Sequence, residues 1–113
     1  MLYAIKEDSK LICQLCLHHC HIKNGHTGLC GINANAEGQF VPLTYGYPST
    51  LHIDPIEKKP LYHFLPQTTT LSLGTVGCNF QCPFCQNWGI SQTHTIEKNR
   101  FVSPQNIVDA AMN

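Results

Sequence analysis

Three cysteines set close together in one stretch constrain this chain more than anything else in it. The stretch Gly74-Thr-Val-Gly-Cys78-Asn-Phe-Gln-Cys82-Pro-Phe-Cys85-Gln-Asn-Trp-Gly89 spaces them as C-x3-C-x2-C. It follows directly on Thr68-Thr-Thr-Leu-Ser-Leu73, a run that reads as a strand. Thiolates are the natural ligands of iron–sulfur clusters, and a cubane cluster has four irons. Three cysteines hold three of them and leave the fourth without a protein ligand. An open metal position is what chemistry needs, as in catalytic zinc sites, where three protein ligands leave one position for substrate. Three other readings stay open on spacing. Cys82-Pro-Phe-Cys85 has the form of a thioredoxin-like redox pair, although such a pair needs no third cysteine upstream. A structural zinc site normally takes four closed ligands. Ferredoxin-type electron transfer uses C-x2-C-x2-C-x3-C.

A second cysteine group lies near the amino terminus, in Cys13-Gln-Leu-Cys16-Leu-His-His-Cys20-His-Ile-Lys-Asn-Gly25-His-Thr-Gly28-Leu-Cys30-Gly31. Its spacing is C-x2-C-x3-C-x9-C, with His18, His19, His21 and His26 interspersed. Four thiolates fit a closed structural zinc site or a four-ligand cluster equally well. Because four thiolates already fill a tetrahedron, the histidines read as solvent-facing or as supports behind the ligands.

The chain has 113 residues, one domain's worth at most. Formal net charge is zero and charged residues make up 12%, so nothing suggests electrostatic steering to nucleic acid. Seven cysteines in so short a chain raise the option of a secreted disulfide scaffold. Against it, Lys6, Glu7, Asp8 and Lys10 interrupt the start before any signal-like apolar run. Close cysteine pairs also suit metals in a reducing compartment. No stretch approaches the roughly 20 apolar residues of a membrane span. The expectation is a cytoplasmic protein with neither nucleic-acid nor membrane partners.

The C-x3-C-x2-C motif resembles the signature of the radical S-adenosylmethionine (SAM) enzymes, and the flanking residues extend the likeness. Phe84 stands just before the third cysteine, where that superfamily usually has an aromatic residue near the adenine. Cys85-Gln86-Asn87-Trp88 is similar to the continuation seen in activating enzymes of glycyl-radical proteins. The string Asp54-Pro-Ile-Glu-Lys-Lys-Pro-Leu-Tyr-His-Phe64, followed by the cysteine loop, looks like the AmmeMemoRadiSam-type branch, related to pyruvate formate-lyase activating enzymes. The match runs from about Cys13 to the last residue. In this branch the amino-terminal group's last cysteine is often followed by a basic residue, whereas Gly31 follows Cys30 here.

The resemblance implies a 4Fe–4S cluster on Cys78, Cys82 and Cys85, with SAM on the open iron and Phe84, Gln86 and Asn87 at the cofactor. It further implies an electron donor such as flavodoxin or ferredoxin, and a substrate that is either a backbone glycine of a partner protein or a small molecule. Cys13, Cys16, Cys20 and Cys30 would form a second metal site, zinc or another cluster. The implied fold class is α/β, the amino-terminal piece of a partial (β/α) barrel: first strand, cluster loop and start of the first helix. Residues 1–38 would form a cysteine-rich metal-binding segment, 39–66 a hairpin and linker, and 67–113 the start of a truncated barrel. Full barrels run to about 250 residues, so the chain reads as the front of a longer enzyme, inactive by itself. The contrasting reading is a zinc-binding interaction module without catalysis.

Elsewhere the residues suggest simpler roles. Phe40–Tyr45 and Ser49–Ile53 are rich in β-branched and aromatic residues, with Gly46 and Pro48 between them, and predict a hairpin. Leu61–Leu65 suggests a single helical turn in which Tyr62, His63 and Phe64 pack inward. Trp88 reads as packing under the cysteine loop. Ser103 and Pro104 predict a helix N-terminus, followed by Ile107, Val108 and Ala111 on one face.

Overall fold

A computed structural model describes residues 3–112. The backbone divides into two units, one formed by Met1–Tyr45 with Val76–Ile96 and the other by Gly46–Thr75 with Glu97–Asn113.

The first unit is built from hairpins. Strands β1 (Ala4–Glu7), β2 (Lys10–Cys13) and β3 (His21–Lys23) form an antiparallel sheet in that order. Asp8 and Ser9 make the turn between β1 and β2, with Asp8 at φ 50°. Aspartate accepts that left-handed conformation more readily than most residues. Side chains alternate across the sheet, so Ala4, Leu11, Cys13 and Ile22 fall inside and their neighbours face out. A second hairpin joins β4 (Asn33–Ala36) to β5 (Gln39–Pro42) through Glu37 and Gly38, at φ 52° and 81°. Two left-handed residues give a turn whose twist matches that of the strands. Asn35 binds this hairpin to the first sheet. Although almost fully buried, it donates from Nδ2 to Ile22 O at 2.8 Å and accepts the Gly38 N–H at 2.8 Å. A buried amide is tolerable only when paired in this way.

The second unit centres on β6 (Thr50–Pro55) and β7 (Thr69–Gly74), paired antiparallel over their full lengths. A 3-10 turn at Ile56–Lys58 leaves β6. The carboxylate of Asp54 accepts from Lys58 Nζ at 2.8 Å and Lys59 Nζ at 3.1 Å. Helix α2 (Pro104–Met112) lies against β7. It begins as the sequence predicts: Ser103 Oγ accepts the Asn106 N–H at 3.1 Å, and Asn106 Oδ1 accepts the Ser103 N–H at 3.1 Å. This reciprocal cap satisfies two end groups of the first turn. Tyr47 and Phe101 meet edge to face at 5.7 Å, beside a Val102 N–H to Gly46 O bond of 2.8 Å.

Several local expectations are overturned. Phe40–Tyr45 and Ser49–Ile53 do not pair with each other. The Glu37-Gly38 turn gives β5 a nearer partner in β4, and β6 takes β7 instead. Leu61–Leu65 forms turns and bends rather than a helical turn, and Tyr62 and Phe64 stand 63% and 60% exposed. The helical turn falls upstream, after Pro55, whose fixed φ suits a helix start. Only Ile107 of the expected α2 face is even half-buried. Among the described residues no helix is long and apolar enough to cross a membrane.

Candidate metal centre

Both cysteine groups belong to the first unit, although 47 residues separate Cys30 from the stretch that begins at Cys78. Val76 is buried, and Gly77 follows it at φ +85°. A methyl group on Gly77 would come within 2.6 Å of Cys30 O and would also strike Ile32. Glycine is required here both by conformation and by the closeness of the other chain segment. The Gly77 N–H donates to Ile90 O at 2.9 Å, which closes the base of the loop.

Within the loop, the backbone turns twice. Cys85 N–H donates to Cys82 O at 3.2 Å and Trp88 N–H donates to Cys85 O at 3.3 Å, leading into the short helix α1 (Trp88–Ser91). Sulfur contacts are made at both ends. The Phe80 N–H donates to Cys78 Sγ at 3.4 Å, and the buried Ser91 hydroxyl lies 3.4 Å from Cys85 Sγ. Hydrogen bonds at a ligating sulfur tune any iron bound to it. Gln92 Nε2 donates to Phe80 O at 2.9 Å, and His18 Nε2 lies 3.0 Å from Asn79 O, where the Nε2–H tautomer donates. The outward side of the loop is open. Cys82, Gln86 and Asn87 are exposed, and Phe84 is 87% exposed. Trp88 is 74% exposed, so it does not pack beneath the loop: it opens α1, and Ile90 and Ser91 provide the inward contacts instead.

The amino-terminal cysteines stand at the ends and turns of β2 and β3. Cys13 is buried as the last residue of β2, and its N–H donates to Cys20 O at 3.0 Å. Between them the chain turns at Cys16–His19, where His19 N–H donates to Cys16 O at 3.2 Å and His19 has φ 43°. A second turn brackets Cys30, with Gly31 N–H donating to Gly28 O at 2.9 Å. The Leu29 N–H donates to Cys20 Sγ at 3.5 Å.

All seven cysteines are free thiols. Among the described residues, no three Cys, His, Asp or Glu side chains converge closely enough to hold a metal ion. The donor chemistry nevertheless suits an iron–sulfur group at Cys78, Cys82 and Cys85. All three are thiols on one short loop, two carry polar groups at their sulfurs, and glycine brings the backbone in close.

Sequence reasoning did not find Ser91, Gln92 or Asn35, nor the specific partner of His18. Ser91 lies six residues beyond Cys85 and has a helical signature only in hindsight. The His18–Asn79 contact spans 61 positions, a separation no spacing rule reaches.

The chain is similar to two proteins of Methanocaldococcus jannaschii. It is 45% identical over 113 residues to the uncharacterized protein MJ0808, an alignment covering 99% of this chain and 34% of that protein. It is 33% identical over 82 residues to the uncharacterized protein MJ0674, covering 73% of this chain and 20% of that one. No family model and no solved structure matches the chain. The chain therefore spans about a third of the length of MJ0808 and a fifth of that of MJ0674.

Proposed function

We propose that this chain carries the cluster-binding segment of a radical SAM enzyme of the glycyl-radical-activase-like kind. The reading rests above all on one observation: three free thiols, Cys78, Cys82 and Cys85, share a loop that supplies no fourth cysteine. These residues would hold three irons of a 4Fe–4S cluster and leave one for SAM. When bound, that pair supplies an electron to the sulfonium and with it a 5′-deoxyadenosyl radical.

The chain's own residues bind, orient and exclude water. The Phe80 amide at Cys78 Sγ and the Ser91 hydroxyl at Cys85 Sγ fix the positions of two of the sulfurs. Gly77 lets the loop start against Cys30 and Ile32. His18 and Gln92 hold carbonyl oxygens of the loop, at Asn79 and Phe80, and limit its drift. The exposed ring of Phe84 offers an apolar face to an adenine, and the Gln86 and Asn87 amides add polar groups to the same rim. A cytoplasmic setting, a flavodoxin or ferredoxin as electron donor, and a protein glycine or small molecule as substrate complete the reading. The barrel fold is part of the same proposal.

The test is anaerobic reconstitution of the full chain with iron and sulfide, followed by EPR of the reduced protein with and without SAM. A reducible cubane whose spectrum changes with SAM is expected, and Cys82→Ala should remove it. A SAM-responsive cubane that survives Cys82→Ala would refute the ligand assignment. A colourless chain that takes only zinc would replace the enzyme with a binding module.

A further inference from the structure

The segment that leaves the cysteine loop is tied back to it residue by residue and then reaches the amino-terminal group. Ile90 O accepts the Gly77 N–H at 2.9 Å, and the buried Ser91 hydroxyl lies 3.4 Å from Cys85 Sγ. Gln92 Nε2 donates to Phe80 O at 2.9 Å. These contacts make residues 90–92 a strap across the base of the loop. From Thr93 to Glu97 the chain has no regular structure, so side chains decide its course.

His94 lies over Gly31, directly after Cys30. A methyl group on Gly31 would overlap the His94 ring at Nδ1 and at both carbons beside it. Gly31 has φ +74°, and its N–H donates to Gly28 O at 2.9 Å, so the turn beneath the ring is set by its own backbone. Ring and turn share a space that only glycine leaves open. The same turn meets Gly77, since Cys30 O and Ile32 lie where a methyl on Gly77 would stand. The turn after Cys30 therefore touches the cysteine loop where the loop begins and the strap where the strap ends. His94 is otherwise exposed, and substitutions at such positions seldom change the stability of a whole unit.

We infer that His94 is a positioning residue for the proposed cluster loop: its ring, seated on Gly31, pins the strap and so sets where Ser91 stands against Cys85 Sγ. The inference rests on the cluster reading above and concerns how that site is held. A hydrogen bond donated to a ligating sulfur stabilises the added electron and raises the potential. Ser91 does so only while the strap is in place. The amino-terminal turn thus acts on the loop through its backbone shape.

The first arm of the test uses the full chain without metal, so it stands whether or not a cluster forms. Amide exchange is followed by NMR and thiol alkylation by mass spectrometry. In His94→Ala the amides of Gly77 and Ser91 should exchange on the order of fivefold faster, as a loosened local opening does. Cys85 should alkylate faster, while the amides of β1 and β2 keep the parent's rates. His94→Phe returns a ring to the same place and should restore both. Gly31→Ala puts a methyl where the ring lies and should loosen the strap as His94→Ala does. The two combined should add little, because they break one contact. The second arm uses the reconstituted chain. Ser91→Ala should make the cluster potential more negative, His94→Ala should shift it the same way, and the double variant should go little further. Unchanged exchange at Gly77 and Ser91 in His94→Ala overturns the inference, as does equal acceleration in β1 and β2 or a failure of His94→Phe to rescue. Fully additive potential shifts would overturn the route through Ser91. If no iron–sulfur group forms in the unaltered chain, the cluster reading falls, and the metal-free arm still decides whether His94 pins the strap.

Discussion

The two cysteine groups sit in one unit of the molecule yet are housed in opposite ways. The amino-terminal group is part of the sheet: Cys13 closes β2 as one of the buried residues, and Cys20 immediately precedes β3. The loop group has no strand within it, and its middle cysteine and the Phe84 ring face solvent. The amino-terminal cysteines are carried on hydrogen-bonded strand ends and turns, with Cys13 buried and Cys16, Cys20 and Cys30 half-buried. Three donors on an exposed loop, anchored only at its base, leave room for something else to approach. The difference teaches that cysteine count alone does not say how accessible a group is. What the surrounding backbone leaves uncovered does.

The comparison breaks first if the sheet is not what holds the amino-terminal group. Leu11 is fully buried, pairs in register with Ile22, and lies two residues before Cys13 on the same face. Leu11→Ala should cost about 2–5 kcal/mol of stability, from lost burial plus the cavity left behind. Urea denaturation followed by far-UV circular dichroism measures it. A loss under about 1 kcal/mol would mean that the sheet does not carry the group.

Gly77→Ala comes next, because it strikes the base of the loop where it meets the amino-terminal group. The positive φ alone should cost about 1–3 kcal/mol, and the Cys30 carbonyl adds a steric conflict that backbone cannot easily relieve. Faster alkylation of Cys30 together with loss of cluster reconstitution would show that the two groups share a base. If the variant is as stable as the parent by thermal melting, the close approach of Gly77 to Cys30 is wrong.

A milder change separates the groups. His18→Ala removes the contact with Asn79 O and should cost about 0.5–1.5 kcal/mol. The larger sign should be local: faster amide hydrogen exchange at Phe80 and Cys85, with exchange in β2 and β3 unchanged. Equal acceleration in the strands would show that His18 supports the whole unit rather than the loop.

How much of this could be read from residues alone depended on whether the cause was local. The start of α2 was legible because Ser103, Pro104 and Asn106 act on one another within a single turn. Strand β7 was legible from its run of threonines and leucines, shifted by one residue. The first sheet was not. Its strands are three or four residues long and mix Lys and Glu with Ile and Leu, so alternation had too few positions to register. The pairing of β5 was misread because Glu37-Gly38 is a subtler turn signal than Gly46 with Pro48. The cysteines themselves were legible by spacing, whereas the contacts that brace them, His18 to Asn79 and Gly77 to Cys30, arise only from tertiary structure.

The smallest expected effect lies in the unit without cysteines, which makes it a control on everything above. Hydrogen bonds from Lys58 first, then the Ser72 hydroxyl and Lys59, hold the Asp54 carboxyl well below the usual carboxylate range. Ser72 Oγ is buried beside it but outside strict hydrogen-bonding geometry, so the lysines are the firmer cause. A carboxyl whose pKa is lower folded than unfolded adds stability above the unfolded value of about 3.9, and that addition is lost as pH falls below it. Lys58 is well exposed, and water screens such a pair, so the contribution should be modest. Asp54→Asn should therefore flatten the fall in stability between neutral pH and the acid range. Denaturation midpoints at a series of pH values read it directly. If the variant loses stability on acidification as steeply as the parent, Asp54 is not the group that titrates.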